Sequence, residues 1–135
     1  MKVLVDTSVW SLALRRTVPG NDAEISELTE LIREVRVQMI GPVRQELLSG
    51  IRNLNQFLAL RDHLREFPDM VLTNEDYETA AEFFNLCRGK GIQGSNTDFL
   101  ICAVAARHRI PVLTIDADFA LFKSVLPISL HTPRS

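Results

Sequence analysis

Short β-branched runs alternate with stretches of helical periodicity along this chain, and that alternation is its strongest constraint on fold. Lys2 to Val5 is one such run, closed by Asp6, and reads as a first strand. Thr7 to Leu14 follows as a helix, and Pro19 and Gly20 break the segment after it. Asn21 with Glu24 forms a capping box, and Ile25, Leu28, Ile32 and Val35 give Asp22 to Glu34 an amphipathic helical stripe. Val37 to Ile40 is a second strand, after which Gly41 and Pro42 open a helix that Gly50 ends. Leu54 to Phe67 is a further helix, stopped by Pro68, and Met70 to Leu72 is a third strand. Thr73 and Asp76 cap a helix that carries Tyr77, Ala80, Ala81, Phe84 and Cys87 on one face. A loop with three glycines, Arg88 to Ser95, leads into Asn96 to His108, a helix apolar almost all round and so expected to be buried. Pro111 to Ile115 is a fourth strand, Asp116 to Lys123 a turn and short helix, and Pro127 to Leu130 a final edge strand.

Strands spaced by helices imply βα units and a mostly parallel sheet covered on both faces, a three-layer α/β/α sandwich. The 135 residues suit one domain over 1–135 with a polar tail, and 46% hydrophobic against 24% charged positions is an ordinary globular balance. Cys87 and Cys102 are the two cysteines, too few for a disulfide scaffold or a cysteine-rich zinc module. Phe99 to Ala106 is too short to span a bilayer, and Asp6, Arg15 and Arg16 interrupt any leader pattern. The expectation is a cytoplasmic protein without a membrane anchor. A net charge of −2 recruits no polyanion in bulk, so contact with nucleic acid must come from a local patch.

The placement of the acids is the functional clue. Ligands of an open parallel sheet bind beyond the carboxyl ends of its strands. Asp6 ends the first strand, Asp116 follows the fourth, Asp98 lies in the first turn of the buried helix, and Glu46 lies one turn into the helix after the second strand. If those strands are neighbours, four carboxylates meet at one edge. Clustered acids repel and desolvate poorly unless a cation joins them, and oxygen-only ligands select Mg²⁺ or Mn²⁺. Such a cation activates water and clamps the oxygens of a phosphodiester, which points to hydrolysis of a nucleic-acid backbone. Each acid also has a plainer reading: Asp98 as a helix cap, Asp116 and Asp118 as turn residues, Glu46 as a solvated helix position.

The runs Val3 to Trp10, Pro42 to Leu48, Thr97 to Ile101 and Leu113 to Phe119, in that order, resemble the PIN-domain ribonucleases, in particular the VapC toxins of type II toxin–antitoxin pairs. The resemblance covers essentially the whole chain. It implies a PIN-like fold with Asp6, Glu46, Asp98 and Asp116 as the acidic site, Asp118 as an extra acid, and Thr7, Ser8 and Thr114 as hydroxyls that orient carboxylates or water. It implies Mg²⁺- or Mn²⁺-dependent cleavage of structured RNA (tRNA or ribosomal RNA), an antitoxin partner from the adjacent gene, and a homodimer. Apolar stripes on Asp22–Glu34 and Leu54–Phe67 are the expected antitoxin groove. A catalytically silent module that binds a partner or RNA is the alternative.

Twelve of the fifteen basic residues are arginine, the better phosphate ligand. Arg15, Arg16, Arg44, Arg88 and Lys90 lie near element ends on the acidic side and are candidate RNA contacts. His63, His108 and His131 are scattered and read as surface residues, while Trp10, Cys87 and Cys102 read as core. A phosphoacceptor receiver domain would need paired acids after the first strand and an acceptor aspartate after the third, where Thr73 and Asn74 stand. An aspartyl phosphatase would need a second acid where Ser8 stands.

Overall fold

Three-residue and four-residue apolar runs make the centre of the sheet because every one of their side chains has a face to bury. In β1 (Val3–Val5) all three are buried, and in β2 (Val37–Ile40) three of four are. The computed structural model describes residues 1–15 and 22–134. Its sheet has the order β3-β2-β1-β4, with β3 at Asp69–Met70 and β4 at Val112–Leu113, and each pairing is parallel. The registers Val3 with Val37, Leu4 with Val112 and Met39 with Asp69 put all the carboxyl ends at one edge. The expected last strand is a single parallel bridge from Leu130 to Val112.

Helices cover both faces: α1 (Thr7–Arg15), α2 (Ala23–Arg33), α3 (Gly41–Leu48), α4 (Leu54–Leu64), α5 (Asn74–Gly89), α6 (Asn96–His108) and α7 (Asp118–Lys123). The three-layer expectation holds. Helix α6 buries Phe99 and every residue from Ile101 to Ala105, as its nearly uniform apolarity requires, and packs chiefly on α5. Trp10 lies edge-on to Phe67 inside the core, and both cysteines are buried free thiols. Among the described residues, no helix is long and apolar enough to cross a membrane.

Several boundaries differ from expectation for identifiable reasons. Helix α4 stops at Leu64 rather than Phe67, because the guanidinium of Arg44 on α3 takes the backbone carbonyls of Leu64 and Phe67. The same side chain grips Asp69 from Nε at 3.1 Å and from a terminal nitrogen at 3.0 Å, fixing β3 at Asp69–Met70 instead of Met70–Leu72. Asn21 lies outside the described residues, and Asp22 occupies the N-cap position of α2. That helix buries Glu27, Leu28 and Leu31, so the expected stripe through Ile32 and Val35 is rotated. Val35 adopts a left-handed φ of 56° at the helix exit and is 75% exposed. Helix α5 likewise buries Ala80, Phe83 and Cys87, leaving Tyr77 and Ala81 at the surface.

Candidate active site

Asp6 is the most deeply set acid of the expected group, 3% exposed at the carboxyl end of the central strand. Its backbone N–H still bonds to Leu113 of β4, and its carbonyl accepts from Val9, so strand and helix α1 meet at this residue. The carboxylate Oδ2 accepts from Ser8 Oγ at 2.6 Å and from Thr114 Oγ1 at 2.8 Å. Ser8 Oγ in turn accepts from the Ile115 backbone N–H at 3.3 Å, and Thr114 Oγ1 accepts from that of Asp116 at 2.9 Å. The two hydroxyls tie the ends of β1 and β4 together through one carboxylate. Thr7 Oγ1, the third expected hydroxyl, is buried with no hydrogen-bond partner among the described residues.

Asp116 then caps the next turn, its Oδ1 accepting from the Asp118 backbone N–H at 2.9 Å and so starting α7. Asp118 is exposed. Asp98 is the third residue of α6 and closes a capping box: its Oδ2 accepts from the Ser95 backbone N–H at 2.9 Å while its own N–H donates to Ser95 Oγ at 3.1 Å. The capping reading of Asp98 therefore holds. Asp6 and Asp98 both sit at N-terminal ends of helices of nine and thirteen residues, where the helix dipole favours negative charge.

Electrostatics link these three segments. Burial pushes the Asp6 carboxyl above its ordinary value; Ser8 and Thr114 pull it back, and the charge on Asp116 adds to the rise. Burial likewise pushes Asp98 up against its Ser95 bonds, with the charges on Asp6 and Asp116 adding to the rise. Glu46 stands on a different wall. It is exposed on α3 and lines a cleft of 290 Å³ with Pro42, Gln45, Ser49 and, from α6, Thr97, the residue before Asp98. Among the described residues, no three His, Cys, Asp or Glu side chains stand close enough to hold one ion. The donor set is nevertheless that of a hard cation, carboxylate and hydroxyl oxygens alone, and the mutual repulsion of Asp6, Asp98 and Asp116 is what a cation would relieve.

The basic residues separate into two groups. Arg44, expected at RNA phosphates, is a structural staple instead, with every guanidinium nitrogen engaged by Asp69 or by backbone carbonyls. Arg15 is exposed with its Nε on the Ser11 carbonyl, Arg88 lies over the Phe84 ring at 5.0 Å, and Lys90 is exposed in the glycine loop. Arg16 lies outside the described residues.

Two polar networks carry no periodic signal in the sequence. Asp76, 0% exposed, completes the expected Thr73 capping box but also holds Arg107 and His108 of α6. Glu27, 2% exposed, is held by His131 Nε2 at 2.6 Å and by Arg134 Nε at 2.8 Å. His108 is at the surface as expected, yet its ring meets the buried Asp76, while His131 is half-buried against Glu27 rather than a loose surface residue. Two apolar hollows also open. One of 270 Å³ lies between the end of α2 and the residues after α4 (Ile32, Val35, Phe67), and one of 450 Å³ lies between α5 and α6 (Tyr77, Phe84, Leu100).

Comparison with known proteins agrees with this geometry. Residues 3–124 match the PIN domain family. Ribonuclease VapC11 of Mycobacterium tuberculosis and a VapC ribonuclease of Mycobacterium bovis are each 32% identical over 122 residues, covering 87% of this chain and 88% of theirs. Among solved structures, VapBC2 from Rickettsia felis, bound to a DNA fragment from its promoter, aligns with a TM-score of 0.77 at 18% identity over 97% of this chain and 98% of that one. FitAcB from Neisseria gonorrhoeae aligns with a TM-score of 0.74 at 22% identity over 97% of each chain. The chain belongs to the PIN-domain family and groups with its VapC ribonucleases.

Proposed function

We propose that this protein is a divalent-cation-dependent endoribonuclease, Mg²⁺ or Mn²⁺ being the physiological ion, and the toxin of a toxin–antitoxin pair. The observation that carries the reading is the set of carboxylates at the carboxyl edge of the sheet, with Asp6 and Asp98 driven up by burial and by charge from Asp116. Asp6, Asp98 and Asp116 would hold the cation, with Glu46 and Asp118 as further candidates. When bound, the ion supplies positive charge to the phosphodiester oxygens and acidifies water.

The chain's own groups do the positioning. Ser8 and Thr114 fix the Asp6 carboxylate by its Oδ2, and the Asp118 N–H fixes Asp116 by its Oδ1. Glu46, exposed on α3 and lining the cleft with Thr97, would hold the cation or orient a water. Among the described residues, Arg15, Arg88 and Lys90 remain as the candidate RNA contacts once Arg44 is assigned to the fold, and Arg16 stays a candidate outside them. The substrate class is structured RNA, tRNA or ribosomal RNA, met in the cytoplasm. The VapBC complexes support an antitoxin partner, and the family resemblance implies that it is encoded beside this gene and that the toxin is a homodimer.

Two assays test this. Purified protein should cleave structured RNA with Mg²⁺ or Mn²⁺ and stop when chelator is added. Expression alone should arrest growth, and co-expression with the adjacent small gene should restore it. Well-folded protein that binds RNA or partner but leaves RNA intact at millimolar cation would establish the silent-module reading instead.

A further inference from the structure

We propose that Ser95 is a positioning residue for the Asp98 carboxylate and that Gly94 determines where Ser95 stands. The inference rests on the cation-dependent reading of the site. Ser95 and Asp98 are joined by two reciprocal bonds, the Ser95 N–H to Asp98 Oδ2 and the Asp98 N–H to Ser95 Oγ. One carboxylate oxygen is thereby tied to the loop, which fixes the direction of the other and removes rotamer freedom that a ligand would otherwise lose on binding a cation.

The loop itself is located by a contact that only glycine permits. A Cβ on Gly94 would lie 2.7 Å from Phe122 Cζ and 3.0 Å from the Phe99 ring. Neither ring can give way, because both are buried and pack on each other with centroids 5.1 Å apart, Phe122 also packing on Phe119 at 5.1 Å. Phe122 belongs to α7, the helix that the Asp116 side chain starts. The Gly94–Phe122 contact therefore sets the loop that leads into α6, two residues before its Asp98, against α7, the helix that follows Asp116. These two acids are eighteen residues apart in sequence, and the contact ties their spacing to the aromatic core.

The chain also contains its own control. Thr73 and Asp76 make the same box at the start of α5, but that carboxylate is sealed and held by Arg107 and His108. A cap that only stabilises a helix and a cap that aims a ligand can thus be compared in one protein.

The experiment is isothermal titration of Mn²⁺ into chelator-stripped protein, with melting curves and RNA kinetics, for parent, Ser95→Ala, Ser95→Thr and Thr73→Ala. Ser95→Ala keeps the N–H bond to Asp98 Oδ2 but loses the Oγ that anchors the loop on the Asp98 N–H, and should bind Mn²⁺ about tenfold more weakly, within the range for loss of a group that orients a ligand. Its kcat should fall while KM for RNA stays put, and Ser95→Thr should restore both. Thr73→Ala should lower the melting temperature yet bind Mn²⁺ like the parent. Parent-like Mn²⁺ affinity in Ser95→Ala, or an equal loss in Thr73→Ala, overturns the positioning role while leaving the cation site standing. A parent that binds no Mn²⁺ overturns the cation reading and this inference with it.

Discussion

Thr114 joins two acids that belong to different turns: its hydroxyl donates to Asp6 Oδ2 at 2.8 Å and accepts the backbone N–H of Asp116 at 2.9 Å. One threonine at the end of β4 thus fixes a carboxylate on β1 and the start of the turn that carries the next acid. Because a hydroxyl that receives one bond is a better donor in the other, the two contacts reinforce each other.

The first prediction follows from that pair. Burial pushes Asp6 up, while Ser8 and Thr114 pull it down. Thr114→Val keeps the side chain's shape, removes one of the opposing donors and moves the carboxyl further up. The acid limb of the pH–rate profile for RNA cleavage should shift to higher pH, and cleavage near neutrality should fall by about tenfold, the usual scale for such a partner. Ser8→Ala should move the limb the same way. A profile that stays in place would show that neither hydroxyl governs Asp6.

Asp98→Asn should stabilise the cation-free protein. The Asp98 carboxyl is raised above 3.8 in the folded state, by burial first and then by Asp6 and Asp116. Its ionisation therefore costs stability at every pH above that folded value, and the cost fades as pH falls towards 3.8. An asparagine oxygen can still accept the Ser95 N–H, so the cap survives the change. In chelator at neutral pH the variant should melt at or above the parent temperature, with the difference closing in acid. Added Mn²⁺ should raise the parent's melting temperature by mass action and the variant's far less. A variant that melts well below the parent at pH 7 would contradict this.

Asp76→Asn should show the opposite sign. Burial pushes this carboxyl up, but the Thr73 N–H and Arg107 outweigh it and hold it below 3.8. Its charge therefore stabilises the fold at all pH values above 3.8, and that contribution is lost as pH falls through the lower folded value. The amide cannot satisfy Thr73, Arg107 and His108 together, so the variant should lose about 1–3 kcal/mol in urea denaturation. Cleavage per folded molecule should remain near normal, since Asp76 holds α5 to α6 by groups outside the acidic cleft. Loss of cleavage without loss of stability would be the contrary result.

Local signals and long-range ones differ in how they appear in a sequence. The bounds of β2 and α6, and the Thr73 box, were legible because each is encoded within a few residues by β-branched runs, apolar periodicity and cap chemistry. The acids at the sheet edge were legible because a parallel sheet brings its strand ends to one side. The role of Arg44 was not, because its partner Asp69 is twenty-five positions away and a lone arginine near a helix start looks the same whether it meets RNA or a carbonyl. Val35 looked like a stripe residue because periodicity assumes a continuing helix, and its left-handed φ ends that helix first. Ser95 reads in the sequence only as the end of the glycine loop, and the contact that places it is between Gly94 and Phe122, a distance no local pattern records.

The C-terminal residues should prove essential to stability through one buried acid. Glu27 on α2 is 2% exposed and meets His131 and Arg134, while Arg134 also bonds Glu34 at 2.9 Å. Burial alone would push the Glu27 carboxyl up, yet Arg134 and His131 hold it below 4.5, so the contact contributes fully above that value and fades as pH falls through the folded one. Ending the chain after Leu130 removes these partners, a loss of about 1–3 kcal/mol for charge-assisted hydrogen bonds. In the truncated protein the Glu27 carboxyl loses the bonds that hold it down, so this loss of stability in acid should disappear. Glu27→Gln should cost the full-length protein stability but cost the truncated one little or nothing, a coupling that a double-mutant cycle in urea measures directly. Equal costs in the two backgrounds would mean that the tail is held by the Leu130 bridge and its apolar neighbours rather than by Glu27.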